Sequence, residues 1–350
     1  MIKKLSEKGR SNPEIEEGEV QIDEEGNVIE SDIGEDPYIK WYENFAPSLK
    51  MGIMEDEPNR NKIAKLLRVK TSQSNGKWRS FADVVENMKE FQTTIFYIAG
   101  GSVKEVEESP FMDMFNAKGI EVIYFTESAD EYMLNHLQQY DDKRFQAISK
   151  ETIKFGDEDK ELDKRIREAY KEKFTPLLRS LRKFYKSAVM RVEISTRLEK
   201  VPAIVSTGDY GQSANMEKIM KAQAFTHGME TNSLTMKTLE LNARHPIFTK
   251  LLEIVPEEDE KIEDIAVRDI LWNILDTALL AGGFPLAEGK AHTNRMIRSL
   301  QKQLDLESMA LLPEIEPTPI VEEKDDEADD AHEHSEGINM DDFDSSPMEE

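Results

Sequence analysis

Residues 94–126, TIFYIAGGSVKEVEESPFMDMFNAKGIEVIYFT, decide how this chain is read. Thr94–Ala99 is a continuous apolar run of strand length, closed by Gly100 and Gly101. Residues 120–126 form a second such run after a helix-like stretch, and 129–139 turn helical again. Strand, helix, strand, helix at this spacing describes a small α/β layer with parallel strands. Parallel strands covered on both faces should be apolar throughout, and these are.

Upstream, the period is helical. Tyr38, Trp41, Tyr42 and Phe45 fall at i, i+3, i+4 and i+7. Further helices are expected over 58–69, with Ile63, Leu66 and Leu67 inward, and over 80–91, with Phe81, Val84, Val85 and Met88 inward. Downstream, 157–187 reads as a long charged helix with a stripe at Leu162, Ile166, Tyr170, Phe174, Leu177, Leu181 and Phe184. Pro176 should kink or divide it. Short strands are expected near 188–195 and 202–207. Helices follow from Ala214 to Phe225 and over 246–254, 262–281 and 289–304. The fold class is α+β: a helical subdomain, the α/β layer, then an α+β domain ending in a helical bundle.

The formal net charge of −26 is concentrated in two places. Residues 13–36 carry eleven acidic side chains and no basic one, and 313–350 carry sixteen against a single lysine. The remainder is balanced, so both segments read as solvated and disordered, an insertion and a tail. EVQIDEEGNVIE within the insertion could also form a weak hairpin. No concentrated basic face favours nucleic acid as a partner. No run approaches the roughly 20 apolar residues of a membrane span. The absence of cysteine excludes disulfides and thiolate metal sites.

Few motifs carry chemistry. Gly100-Gly101 after a strand could cradle a phosphate, but the dinucleotide fingerprint is incomplete and no Walker lysine follows, so a tight turn is expected. A small-molecule enzyme using that turn is the weaker rival. His245 before Pro246 could serve a site or cap a helix; His332 and His334 could hold metal only weakly. No HExxH, triad or GxSxG arrangement is present. Met216, Ile219 and Met220 share one face of SANMEKIMKAQAF, 213–225. Methionine suits surfaces that accept many partners, and it equally suits a core-facing helix.

That segment carries a likeness. YGQSANMEKIMKAQAF resembles the C-terminal signature of the ninety-kilodalton heat-shock protein chaperones. MGIMEDEPNRNKIAKLLR, IFYIAGGSVKEVEESPF, KGIEVIYFTESADEYMLNHLQQYDDKRFQ and LELNARHPIF resemble further stretches of that family in the same order. KRFQAISKETIKF and KFTPLL are closest to its endoplasmic-reticulum branch, whose lumen is then the expected compartment. The chain ends in SSPMEE without KDEL, so the cytoplasm is the alternative.

The likeness implies a homodimeric clamp that binds unfolded or partly folded client proteins, with co-chaperones as possible partners. It implies ATP and Mg²⁺ in the full-length family, held by a domain and a catalytic loop outside the matched region. No catalytic, cofactor or metal residue is therefore assigned here, and the chain alone is expected to be inactive as an ATPase. The implied layout is the end of a middle-domain helix at 1–12, the insertion at 13–36, middle-domain layers at 37–156, a dimerisation domain at 157–312 and the tail at 313–350. Met216, Ile219 and Met220 are then the client-binding candidates. Leu271, Leu275, Ile297 and Leu300 are the dimer-interface candidates. An ATP-independent scaffold or adaptor dimer is the alternative.

Overall fold

In the computed structural model, residues 36–157, 160–209, 211–227, 236–255 and 262–312 are described. The acidic insertion up to residue 35 and the tail from 313 lie outside them. The described elements mix helix and sheet. Strands β1 (Lys70–Thr71), β2 (Thr94–Ala99), β3 (Val122–Phe125), β4 (Gln139–Tyr140) and β5 (Lys143–Ala147) form one sheet in the order β1-β3-β2-β5-β4. β2 and β3 run parallel, with Phe96 opposite Val122 and Ala99 opposite Phe125.

Alternation along these two strands feeds two cores. Ile95, Ile123 and Phe125 face one with Tyr38, Tyr42, Ile53, Leu67 and Phe81. Phe96, Ile98, Val122 and Tyr124 face the other with Val106, Phe111, Met112 and Phe115. Coverage of both faces explains why neither strand shows a polar period. The crossover between them holds two short helices, α4 (Val103–Glu107) and α5 (Met112–Lys118). Ser102 starts α4 by accepting the Glu105 amide, and Gly119, at φ 61, ends α5 in the left-handed conformation that glycine adopts freely.

Strand β5 was not expected from the sequence. It pairs parallel to β2 on the side away from β3, and joins the edge strand β4 through Asp141 and Asp142, both at positive φ. Consecutive left-handed residues give the turn twist that two-residue hairpins favour.

The upstream helices are α1 (Pro37–Glu55), α2 (Arg60–Ala64) and α3 (Phe81–Glu86). Asp36 caps α1 by accepting the Tyr38 amide at 2.8 Å. Ser80 and Asp83 exchange side-chain and backbone bonds at the start of α3. The expected helices at 58–69 and 80–91 are therefore shorter. Leu66 and Leu67 are buried just beyond the end of α2, so their inward positions come from the loop. The buried stripe of α1 is Tyr38, Tyr42, Ala46, Lys50 and Ile53. Phe45 is exposed and stacks on Trp41 at 5.3 Å instead of entering the core. Helix α6 (Ser128–His136) follows β3 as expected.

Helix α7 (Lys160–Phe184) runs through Pro176 as one helix, so of the two expectations there, a kink or a division, the division does not occur. Thr175 Oγ1 donates to the Lys171 carbonyl at 2.6 Å, a side-chain bond to the backbone one turn back. Leu162 and Ile166 are exposed. Burial begins at Phe174 and continues through Leu177, Leu178, Leu181 and Tyr185. These pack on a second sheet of β6 (Arg191–Ser195), β7 (Ala203–Thr207) and β8 (Lys237–Asn242), ordered β6-β8-β7. β8, which the sequence reading passed over, pairs parallel to β6 and antiparallel to β7.

The remaining helices are α8 (Ala214–His227), α9 (Pro246–Ile254), α10 (Ile265–Ala281) and α11 (Gly289–Gln303). His245 caps α9, its Nδ1 accepting the Ile247 amide at 3.3 Å, with Pro246 in the first turn. The described residues up to Leu300 form one compact unit and those from Gln301 to 312 a second. In the second, Gln301 closes a turn onto the Leu306 carbonyl at 3.2 Å. Among the described residues, no helix is long and apolar enough to cross a membrane.

Candidate functional site

Helix α8 is tied down by polar groups. Ser213 Oγ accepts the Met216 amide at 3.0 Å, which caps the helix, and donates to the Glu131 carboxylate of α6 at 2.7 Å. Asn215 reaches the same carboxylate at 3.4 Å. Burial pushes the Glu131 carboxyl up, against the opposing bonds from Ser213 and Asn215. Glu217 is 2% exposed and pairs with Lys221 at 2.8 Å and Lys237 at 2.9 Å. Burial would raise its carboxyl, but the bonds from Lys221 and Lys237 outweigh it and hold it below the usual range. Lys218 reaches Glu105 of α4 at 2.6 Å.

These contacts put Asn215 and Glu217 on the buried side. Met216, Ile219 and Met220 are half-buried. Among the described residues, none of the three belongs to an apolar core or packs against one. The stripe that the sequence left between core and binding surface is neither sunk in the core nor fully open.

The four dimer candidates divide. Leu271 and Leu275 are 0% and 1% exposed in the chain's own core, where Tyr185 Oη donates to the Leu271 carbonyl at 2.5 Å. A side chain enclosed by its own subunit has no surface left to offer a second copy. Ile297 and Leu300 are 40% and 48% exposed, beside Met296, on a helix α11 with no buried residue. Charge pairs hold α11 to α10. Arg298 makes a bidentate bond to Asp269 at 2.7 and 2.8 Å, and both Arg295 and His292 bond Asp276. The bond from Arg298, ahead of a small opposing burial effect, holds the Asp269 carboxyl below its ordinary value.

The Gly100-Gly101 turn is already filled. The Gly101 amide donates to Glu105 Oε2 at 2.8 Å, so the chain's own carboxylate sits where a phosphate oxygen would be held. A Cβ on Gly100 would lie 2.6 Å from Val106 Cγ1, so packing alone accounts for that glycine.

The sequence profile described as Hsp90 protein matches residues 1–335. The chain belongs to the Hsp90 family. It is 37% identical over 322 residues to an endoplasmin homolog of Hordeum vulgare and 36% identical over 323 residues to one of Arabidopsis thaliana. Each alignment covers 90% of this chain and 38% of the relative. An endoplasmin homolog of Catharanthus roseus is 38% identical over 295 residues, covering 83% of this chain and 33% of its own length. The chain thus spans little more than a third of these relatives.

The endoplasmin-like likeness read from the strings is borne out at this level. What residue patterns missed in this Hsp90 chain is the polar seam between the α/β layer and the elements that follow it. Arg197 pairs with Glu240 and donates to the Ile148 carbonyl at 2.9 Å. Glu151 accepts from Arg191 at 3.2 Å and from Thr238 at 2.7 Å. Partners this distant in sequence leave no periodic signal.

Proposed function

We propose that this chain is the client-holding and dimer-forming part of an Hsp90-family chaperone, with residues 37–156 as middle-domain layers and 157–312 as the dimerisation domain. A chaperone role follows from the family. The observation that carries the finer reading is the Met216, Ile219 and Met220 stripe, half-buried on a helix whose anchoring side is polar. Flexible methionines beside water can repack against clients of many shapes. The exposed stripe of α11 at Met296, Ile297 and Leu300 supports pairing with a second copy. The endoplasmin homologs support residence in the endoplasmic reticulum.

ATP and Mg²⁺ belong, in this reading, to the part of the family's architecture beyond the matched third. The Gly100-Gly101 turn does not fit a phosphate. Glu105 occupies the Gly101 amide, and among the described residues no cluster of acidic or histidine side chains is arranged to hold a metal. No step through nucleotide is assigned to this chain.

The test is the double variant Met216→Ser/Met220→Ser, compared with wild type by thermal melt and by suppression of aggregation of an unfolding test protein. An unchanged melt with suppression weakened by about tenfold in effective concentration, roughly 1.4 kcal/mol of binding, is expected. A large fall in melting temperature, as for removal of a core side chain, would return the stripe to the fold and remove the client site.

A further inference from the structure

Strand β7 ends at Thr207; Gly208 and Gly211 lie between it and Ser213, the cap of α8, whose first residue is Ala214. A lysine from another part of the chain sits under this turn. Lys150 Nζ donates to the Gly208 carbonyl at 3.1 Å, to the Gly211 carbonyl, and to Thr207 Oγ1 at 3.4 Å. The backbone on either side of Lys150 is joined to the same place. Glu151 donates its amide to the Thr207 carbonyl at 3.1 Å, and Thr207 donates its own to the Ser149 carbonyl at 3.4 Å.

Three donors and three acceptors match the full capacity of an ammonium group. The acceptors are two carbonyls and a hydroxyl of one short loop. The neighbouring carboxylates Asp209, Glu131 and Glu151 surround the group without forming a direct ion pair with it. Burial holds the ammonium below the usual lysine range against the pull of these carboxylates. A lysine serving only general charge balance would pair with a carboxylate; this one is spent on the loop backbone.

Beyond the loop, Glu131 takes over, bonding Ser213 and Asn215. The start of α8 is therefore fastened at two successive points to the α/β layer, first by Lys150 and then by Glu131. A Cβ on Gly211 would lie 2.9 Å from the Thr207 Cβ, so a side chain there would force its surroundings to shift.

We propose that Lys150 is a positioning residue for α8: its charged amine fixes the backbone at Thr207, Gly208 and Gly211, and through it the angle and exposure at which Met216, Ile219 and Met220 are presented. The consequence for clients rests on the reading given under Proposed function, whereas the fastening itself does not. Neutralising this one amine should loosen the loop and the first turns of α8 while leaving β2 and β3 intact.

The experiment is hydrogen–deuterium exchange of the full chain, followed in peptides covering 205–223, β2 and β3. Lys150→Met is compared with Lys150→Arg. Because the sequence contains no cysteine, Lys150→Cys also supplies a unique thiol. Alkylation with 2-bromoethylamine puts an ammonium back at lysine length, and alkylation with iodoacetamide puts a neutral amide there, so the comparison survives if Lys150→Met folds poorly.

Exchange across 208–220 about tenfold faster in the neutral forms is expected, with β2 and β3 unchanged and slow exchange kept by Lys150→Arg and the aminoethylated form. Wild-type exchange in the neutral forms would overturn the proposal. So would acceleration spread equally to β2 and β3, since Lys150 would then support the fold at large. If the exchange result holds while Met216→Ser/Met220→Ser suppresses aggregation as well as wild type, the fastening stands and the client reading falls.

Discussion

Replacing Lys50 with methionine is expected to destabilise the protein by about 3–5 kcal/mol, the range for breaking a buried ion pair on one side. Lys50 is 5% exposed on the core side of α1, where an apolar residue would continue the helical stripe. Its ammonium lies 2.7 Å from Asp130 and 2.9 Å from Glu127. Burial would lower its proton affinity, but the two carboxylates outweigh this and hold it above the usual lysine range. Methionine keeps most of the stem and removes the charge, leaving the buried Asp130 carboxylate without its cation. Urea denaturation should show the midpoint falling steeply, and Lys50→Met/Asp130→Leu should recover part of the loss because no orphaned charge remains. A change below about 1 kcal/mol in the single variant would mean that water reaches Asp130 and the pair is a surface contact.

The second large effect is on association. Leu300→Asp should weaken the proposed homodimer at least about 100-fold, since a carboxylate buried without a partner costs several kcal/mol and each 1.4 kcal/mol is a factor of ten. Leu300 is open in the single chain, so the folded subunit itself should tolerate the change. Sedimentation equilibrium is the measurement. Equal dissociation constants for wild type and variant would place the contact elsewhere, and a monomeric wild type at tens of micromolar, roughly the range of a weak specific contact, would remove the dimer.

The parts of the fold that were legible in the sequence are those where burial and apolarity coincide. β2 and β3 contribute both faces to apolar cores, so their runs announced themselves. β8, Lys237–Asn242, is equally buried and was missed, because alternate positions are polar. Thr238 donates to Glu151, Glu240 pairs with Arg197, and Asn242 donates to the Glu199 and Val201 carbonyls. Buried polar groups are tolerated when bonded, but the partners that make them tolerable lie about forty or more residues away and leave no mark on the local pattern. Lys50 failed as a signal for the same reason.

The candidate site was legible in the same limited way. Periodicity put Met216, Ile219 and Met220 on one face, and whether that face was core depended on Glu131, Glu105 and Lys237, contributed by other elements. For α10 and α11, the apolar spacing looked alike in both helices. Only the packing separates Leu271 and Leu275, enclosed by Tyr185 and its neighbours, from Ile297 and Leu300, which stay 40% and 48% exposed among the described residues. Pro176 does not divide its helix. Its ring removes one donor, yet the surrounding turns keep the helix whole, with Phe174, Leu177 and Leu178 seated in the core on either side.

Capture of partly folded proteins by this chain is tested most directly by light scattering from a test protein heated through its unfolding temperature, with the purified chain present and no nucleotide added. Scattering should fall in proportion to added chain, approaching suppression near one dimer per test molecule. Scattering unchanged at a several-fold molar excess of the folded chain would contradict client binding and leave the passive scaffold reading.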